Sequence, residues 1–228
     1  LYWLFGFLRM GSSGMTAQAY GAGDSRETSL IFCRSLVVAA AASLCMILLQ
    51  GPIADGVLAF MDADPATRGL ACRYFSICIY GAPAVLATYA MSGWFLGMQD
   101  SRAPMWISIV INLSNIAVSL LLVMVFRLRI EGVAAGTLTA QWLGVVAGLL
   151  LCRRHRILRP ALADILRWSG LRRFFAVNID IFLRTLCLVA VTLWFTRVGA
   201  MQGTVMLAVN TLLMQFFMLF SFFMDGFA

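Results

Sequence analysis

Four charged residues inside or at the edge of otherwise apolar stretches of this 228-residue sequence are candidates for chemistry, because an ionisable group is costly there: Arg9, Asp180, Arg184 and Asp225. Arg34 also falls in an apolar stretch, near one end of it. A charged side chain at the centre of a membrane helix costs roughly 2.5 to 3.5 kcal/mol on insertion scales, so it normally has a partner or a function. The chemistry that such groups can supply is the exchange of a proton or a cation for another charged ligand.

Asp180 and Arg184 stand four residues apart with the acid first, which places both on one face of a helix. The spacing predicts an ion pair that helps the helix to insert into a membrane. The alternative hypothesis is that Asp180 exchanges Arg184 for a proton or a cationic substrate. Asp225 has no basic residue three or four positions away, so we expect it to be protonated or to pair across helices, with Arg9 as the candidate partner.

The composition indicates that helices in lipid carry these residues. Hydrophobic residues make up 62% of the chain and charged residues only 12%, values outside the range of water-soluble domains. Several apolar runs reach the roughly 20 residues that a helix needs to span a bilayer, and their continuous apolar character excludes the alternating strands of a β-barrel. Pro83 predicts a kink in one of these runs. We predict an all-α polytopic transmembrane bundle with candidate spans at residues 1–22, 30–49, 74–98, 105–126, 132–152, 174–196 and 198–224.

A basic segment separates these spans into two groups. Residues 153–173 hold seven arginines and a single acid, Asp164, so the positive-inside rule predicts that this segment is cytoplasmic. We expect an amino-terminal bundle over residues 1–152, a basic linker over 153–173 and the start of a carboxy-terminal bundle over 174–228. Apolar residues at helical spacing in the linker favour either an amphipathic helix at the membrane surface or a plain basic loop. The acidic segment with Asp55, Asp62 and Asp64 is then an external loop.

Several classes of function lack their sequence signals. The glycines at 21 and 23 are not followed by the third glycine of a dinucleotide-binding loop, and no phosphate-binding loop occurs. The six cysteines form no C-x-x-C pair, and the lone His155 has no companion ligands for a metal. The net charge of +7 follows from arginines that set membrane orientation. We therefore predict no enzyme activity, no cofactor, no metal and no nucleic-acid partner.

Short motifs occur in a fixed order along nearly the whole chain. They cover residues 7–19 with 21–24, residues 81–83 with 93–97 and 99–104, residues 112–118 with 131–135, and residues 178–184 with 224–228. Each motif is short, but their order and spacing resemble helices two to eight of the multidrug and toxic compound extrusion (MATE) family, in its DinF-like branch. The resemblance implies a two-bundle transporter of twelve helices, of which the chain lacks the first and the last four.

The resemblance implies a secondary antiporter that exports amphipathic or cationic compounds by alternating access between two bundles. The expected coupling ion is a proton, with sodium as the alternative. The expected partners are a small lipophilic or cationic substrate and membrane lipid, in the bacterial inner membrane, and we expect the full-length protein to be monomeric. Two alternatives stay open, namely a lipid-linked glycan flippase of the same superfamily and a transport-inactive membrane scaffold.

Candidate cleft residues also follow from the resemblance. Asn115 corresponds to an asparagine that supports the family's coupling acid, which lies on the absent first helix. Four positions later the family often has an aspartate where this chain has Ser119, so a second carboxylate is missing there. A family threonine falls at Thr139 or Ala140. Further polar residues that could line a cleft or bond between helices are Gln18, Asn112, Asn210 and Gln215.

Overall fold

The computed structural model describes residues 2–61, 65–128, 130–155, 161–201 and 204–227, in which helices dominate and no strand occurs. The helices are α1 (Phe7–Gly21), α2 (Ser25–Leu48), α3 (Gln50–Met61), α4 (Pro65–Cys78), α5 (Ala82–Gly97), α6 (Arg102–Met124), α7 (Ile130–Cys152), α8 (Leu162–Ile165), α9 (Trp168–Met201) and α10 (Thr204–Phe227). Short 3-10 turns at Tyr2–Gly6 and Ile79–Gly81 precede α1 and α5. The all-α class predicted from the composition is confirmed.

Five helical stretches are long and apolar enough to cross a membrane: Ser25–Leu48, Gly69–Gly97, Arg102–Met124, Ile130–Cys152 and Gly170–Gly199. Each coincides with a predicted span. The first predicted span comprises α1 and the 3-10 turn before it. Together they are about 32 Å long, but they are not among the described helices that are long and apolar enough to cross a membrane, so this span stays a prediction. In the last predicted span the described apolar stretch is Ala208–Ser221 of α10.

The segment predicted to be an external acidic loop is largely helical. Asp55 lies within α3, and α4 follows from Pro65, so the prediction of a loop was wrong there. Asp62 and Asp64 fall outside the described residues. Hydropathy detects runs long enough to span a membrane, and the 12 residues of α3, interrupted by Asp55, are too few to be recognised in this way.

The predicted kink at Pro83 takes the form of a 3-10 turn. The α-helix ends at Cys78, the turn covers Ile79–Gly81, and the α-helix resumes with Pro83 in its first turn. Because proline has no N–H, it cannot bond the carbonyl of Ile79 four residues earlier, and its ring would clash with that carbonyl in a continuous α-helix.

Two glycines of α5 allow α1 to pack directly on its backbone. A Cβ atom at Gly93 would overlap the Arg9 carbonyl oxygen and the Ser12 hydroxyl of α1. A Cβ atom at Gly97 would lie 2.6 Å from the Ser13 carbonyl oxygen. Small residues have this effect in membrane helices, where association depends on close van der Waals contact rather than on burial from water.

A stripe of small residues has the same role on α7, where every fourth position of the buried face is glycine or alanine. The stripe consists of Gly132, Gly136, Ala140, Gly144 and Gly148. Gly136 lies against the backbone and hydroxyl of Ser119 in α6, and Gly144 lies against Ile111. Among the described helices, α6 and α7 form the most extensive pair.

The chain forms two compact units, Leu1–Phe182 and Leu183–Ala228. Two apolar clusters fill the first unit. One includes Leu8, Ile31 and Phe174, and the other surrounds Trp94 and Phe95. Phe174 is fully buried in α9, so the described part of the linker and residues 174–182 belong to the first unit. The predicted start of the carboxy-terminal bundle at residue 174 stays a prediction for the complete protein.

We expect Gly93→Ala and Gly97→Ala to lower the thermal stability of the protein in detergent, because each new Cβ atom overlaps α1. Overpacking of this kind typically costs about 1 to 3 kcal/mol. Gly14→Ala is the matched control, since no described atom lies within 4 Å of its Cβ position on α1. Alanine also forms helix more readily than glycine by about 1 kcal/mol, so the control is expected to be neutral or stabilising. Equal unfolding midpoints for the three variants would contradict the close packing of α1 on α5.

Candidate functional site

A polar cluster lies where α6 meets α7 inside the first unit. Asn115 Nδ2 donates to Thr137 Oγ1 at 3.1 Å, and the Thr137 hydroxyl donates to the Val133 carbonyl at 3.0 Å. Tyr74 of α4 lies within interacting distance of Thr137 and of Cys78. Three helices therefore bring hydroxyl and amide groups together, an arrangement that can bind a water molecule or a polar ligand group.

The hydroxyl bonded to Asn115 belongs to Thr137, which the sequence analysis did not consider. The Thr139 hydroxyl donates to the Ala135 carbonyl of its own helix at 2.8 Å, and Ala140 is buried in the small-residue stripe. Thr139 is two residues from Thr137 and therefore points about 200° away around the helix. A stripe of small residues at every fourth position is the sequence signal that defines which face of α7 meets α6.

Ser119 lies one turn beyond Asn115 on α6, and its hydroxyl is packed against Gly136. This hydroxyl is buried and has no hydrogen-bond partner within the described residues. The α7 side of this contact already has the smallest residue, glycine. A side chain longer than serine at position 119 would therefore have to displace α7. Whether Ser119 binds a ligand stays a prediction.

The other polar candidates of the first unit have exposed side chains. Arg9 and Gln18 are both exposed on α1. Asn112 is exposed on α6, where its Nδ2 donates to the Ser108 carbonyl at 2.9 Å. This bond lies within one helix, so the structure does not place Asn112 in the cluster of Asn115 and Thr137.

The charged candidates of α9 and α10 lie at or beyond the boundary between the two units. Asp180 and Arg184 both have exposed side chains on α9, and the boundary falls between them, so their ion pair stays a prediction. Asp225 lies in α10, but its side chain is outside the described part of the structure. Its pairing with Arg9 therefore also stays a prediction.

Asn178 makes a buried contact with α1 that the sequence did not predict. Its side chain is 1% exposed, and Nδ2 donates to the Phe174 carbonyl at 2.6 Å. Its Oδ1 atom has no partner among the described residues and lies where a side chain at Gly11 of α1 would be. Asn178 begins the motif at residues 178–184, which was the available sequence signal for its importance.

The motif at residues 99–104 forms the turn between α5 and α6. Gln99 has a φ of 63°, a left-handed conformation that reverses the chain. Asp100 Oδ1 accepts bonds from the N–H groups of Arg102 and Ala103 at 3.2 Å, and its Oδ2 lies 3.2 Å from His155 Nε2. The Asp100 carboxylate thus caps the first turn of α6 and also contacts His155, which follows the end of α7.

The second unit contains a cleft of about 190 Å³ between α9 and α10. It brings together Asn210 and Gln215, two of the predicted cleft residues. The lining residues are Thr192, Phe195, Thr196, Asn210, Thr211, Met214, Gln215 and Met218. Neutral donors and acceptors between aromatic and thioether walls suit a small amphipathic molecule.

We expect Ser119→Ala to leave the free energy of unfolding unchanged or to raise it, because the substitution removes a buried hydroxyl that has no partner among the described residues. Thr137→Val is the isosteric comparison, and it is expected to cost about 0.6 kcal/mol, the average for an interhelical hydrogen bond in a membrane protein. Denaturation of the protein in bicelles measures both. A loss for Ser119→Ala larger than that for Thr137→Val would show that the Ser119 hydroxyl has a partner.

Comparison with known proteins places the chain in a family. The MatE family model matches residues 1–121. The DNA damage-inducible protein F of Escherichia coli (strain K12) is 36% identical over 231 residues, which cover 100% of this chain and 50% of that protein. The chain thus spans half the length of this relative.

Solved structures of transporters share the fold. A MOP superfamily transporter from Pyrococcus furiosus, described as having a binding pocket of reverse polarity, superposes with a TM-score of 0.81 at 20% identity over 95% of this chain and 49% of its own. The inward-facing conformation of a multidrug resistance MATE family transporter gives 0.78 at 18% identity, over 91% and 48%. With its membrane-spanning helices, its whole-length similarity to the E. coli protein and the family match over more than half its residues, the chain belongs to the MatE family.

Proposed function

We propose that the chain forms part of a cation-coupled antiporter that exports amphipathic or cationic compounds by alternating access. The observation that supports this most directly is the exposure of Asp180 on Gly170–Gly199, a helical stretch long and apolar enough to cross a membrane. A carboxylate on such a stretch is unfavourable against lipid, so we propose that in the complete protein it faces another helix or a water-filled cleft. Such a cleft is where a transporter exchanges its ligands.

Asp180 is the proposed exchange group. An ionised Asp180 can hold either Arg184 or a cationic ligand, and binding of a proton removes the charge that attracts both. Proton entry from one side and cation binding from the other are then mutually exclusive, which is the condition for antiport. A proton is the proposed coupling ion, with sodium as the alternative.

The proposed substrates are small lipophilic or cationic molecules. The cleft between α9 and α10 offers neutral hydrogen-bonding groups beside methionine and phenylalanine side chains, which adapt to ligands of different shape. The description of one structural relative as a multidrug resistance transporter agrees with this class. We place the protein in the bacterial inner membrane as a monomer, with residues 153–173 on the cytoplasmic side.

A lipid-linked glycan flippase is the second candidate. The exposed side chains of Arg9 and Arg184 favour it, because an anionic pyrophosphate-linked substrate needs a basic cleft. Ser119 in place of a carboxylate favours the third candidate, a transport-inactive membrane scaffold.

The test uses the complete protein in proteoliposomes with an imposed proton gradient and follows efflux of a fluorescent lipophilic cation. We expect gradient-dependent efflux from the wild type and none from Asp180→Asn at an equal amount of folded protein, because the amide cannot exchange a proton. Glu131→Gln is the matched control, since this exposed carboxylate pairs with the exposed Arg73 at 3.4 Å outside the predicted spans. Its efflux is expected to equal that of the wild type.

Normal efflux from Asp180→Asn would reduce Asp180 to a structural partner of Arg184. Efflux from neither protein would overturn the antiport proposal. Movement of a lipid-linked glycan in the same vesicles would then support the flippase, and its absence would support the transport-inactive scaffold.

A further inference from the structure

Arg34 of α2 is a buried arginine whose function the proposed transport chemistry does not explain. Its side chain is only 7% exposed, and Nη1 lies 3.2 Å from Glu27 Oε1 of the same helix. Its other donors point to the linker. Nη2 donates to the Asp164 carbonyl at 3.1 Å, and Nε donates to the Ile165 carbonyl at 3.4 Å. These two carbonyls lie at the end of α8, so one guanidinium joins α2 to the linker.

Gly170, the third residue of α9, lies flat against the same guanidinium. A Cβ atom at this position would overlap Arg34 Cζ and lie 2.7 Å from Nε. The first turn of α9 can therefore approach Arg34 only because residue 170 has no side chain. Arg34 is thus held between the end of α8 and the beginning of α9, which only Leu166 and Arg167 separate.

Apolar packing strengthens the same attachment. Ile165 is 8% exposed and Phe174 is fully buried, and Phe174 belongs to the cluster that contains Leu8 of α1 and Ile31 of α2. The exposed pair of Arg26 and Asp164 adds an outer contact at 2.8 Å, which contributes little in water. Ile165 packs against protein, whereas Leu166 is 55% exposed. An amphipathic helix lying in the membrane surface therefore stays a prediction for the linker, of which residues 156–160 are outside the described part.

Arginine suits this position for physical reasons. Its planar guanidinium has five N–H donors in a fixed fork and is always charged, whereas lysine offers a single compact ammonium group. If the linker moved away, the buried charge would lose two carbonyl acceptors and keep only Glu27. Loss of partners around a buried charge is strongly unfavourable, so the linker is held firmly.

We propose that Arg34 is a positioning residue of the transport cycle, which fixes α8 and the first turn of α9 to the amino-terminal bundle so that the linker moves as part of that bundle. This inference rests on the alternating-access function proposed above. An anchored linker transmits the motion of the bundle to the rest of the chain, whereas a free linker absorbs it. Loss of the anchor should therefore slow turnover without changing substrate affinity, because the donors of Arg34 point to the linker.

The test uses Arg34→Lys and Gly170→Ala in the complete protein. The first substitution changes the donors on α2 and the second changes the part of α9 that lies against them, so both weaken the anchor. Neither substitution leaves a cavity as large as an arginine side chain. Hydrogen–deuterium exchange at residues 165–175 is expected to be about tenfold faster or more in both variants, since opening no longer breaks the full set of bonds. The double variant should exchange no faster than the faster single variant, because both changes remove one contact. Proton-driven efflux of a lipophilic cation should show kcat lowered about tenfold with KM unchanged.

Two control variants match these substitutions. Arg73→Lys changes an arginine that is 72% exposed and pairs with Glu131 at 3.4 Å, and Gly69→Ala adds a Cβ atom with no described neighbour within 4 Å. Both should exchange and transport as the wild type does. Unchanged exchange at residues 165–175 in Arg34→Lys and Gly170→Ala would overturn the anchor.

Faster exchange with unchanged kcat would overturn the positioning role. A rise in KM with unchanged kcat would overturn it too, because Arg34 would then act on substrate binding. Absence of efflux from the wild type would overturn the proposed function instead, and the exchange measurement, which needs no substrate, would still decide whether Arg34 anchors the linker.

Discussion

Direct contact between helix backbones is the constraint on which the rest of the amino-terminal unit depends. Gly93 and Gly97 let α5 touch α1, and Gly136 lets α7 touch α6. In lipid the tails are as apolar as the side chains, so burial of apolar surface between helices gains little and close packing must provide the stability. The glycine contacts set the depth and the rotation of each helix, and these two quantities determine where its other side chains lie.

The same contacts explain why polar side chains collect between helices. Asn115 reaches Thr137 because α6 and α7 are close enough for one hydrogen bond to join them. Asn178 fills the space that Gly11 leaves on α1, and Ser119 does the same beside Gly136. Some of these polar atoms have no partner within the described residues. A buried acceptor or hydroxyl without a partner costs free energy, so these positions are where water or a neighbouring helix of the complete protein would stabilise the bundle.

The sequence predicted the features that depend on how each residue type partitions between water and lipid. It did not predict the features that depend on which side chains face each other between helices. Hydropathy located the spans, and the missing N–H of Pro83 predicted the break before α5. The helical α3 was missed because its 12 residues are too few for a membrane span, and Thr137 was missed because the rotation of α7 follows from contacts with α6. The small-residue stripe shows which face of α7 meets α6, and the stripe is visible in the sequence. The attachment of Arg34 to residues 164 and 165 could not be read, because about 130 positions separate them and no local pattern predicts the contact.

The 3-10 turn before α1 links the first helix to the thickness of the bilayer. A 3-10 residue rises about 0.5 Å more than an α-helical residue, so five residues change the length of the span by about 2.5 Å if the turn rewinds. Differences of a few ångströms in hydrocarbon thickness separate one biological membrane from another. Tyr2 in this turn donates from its hydroxyl to the Cys78 carbonyl, and Phe5 packs against the cluster that contains Leu8. Rewinding would break these contacts with the neighbouring helices, so a bilayer of different thickness has to adapt to this end of the bundle rather than the reverse.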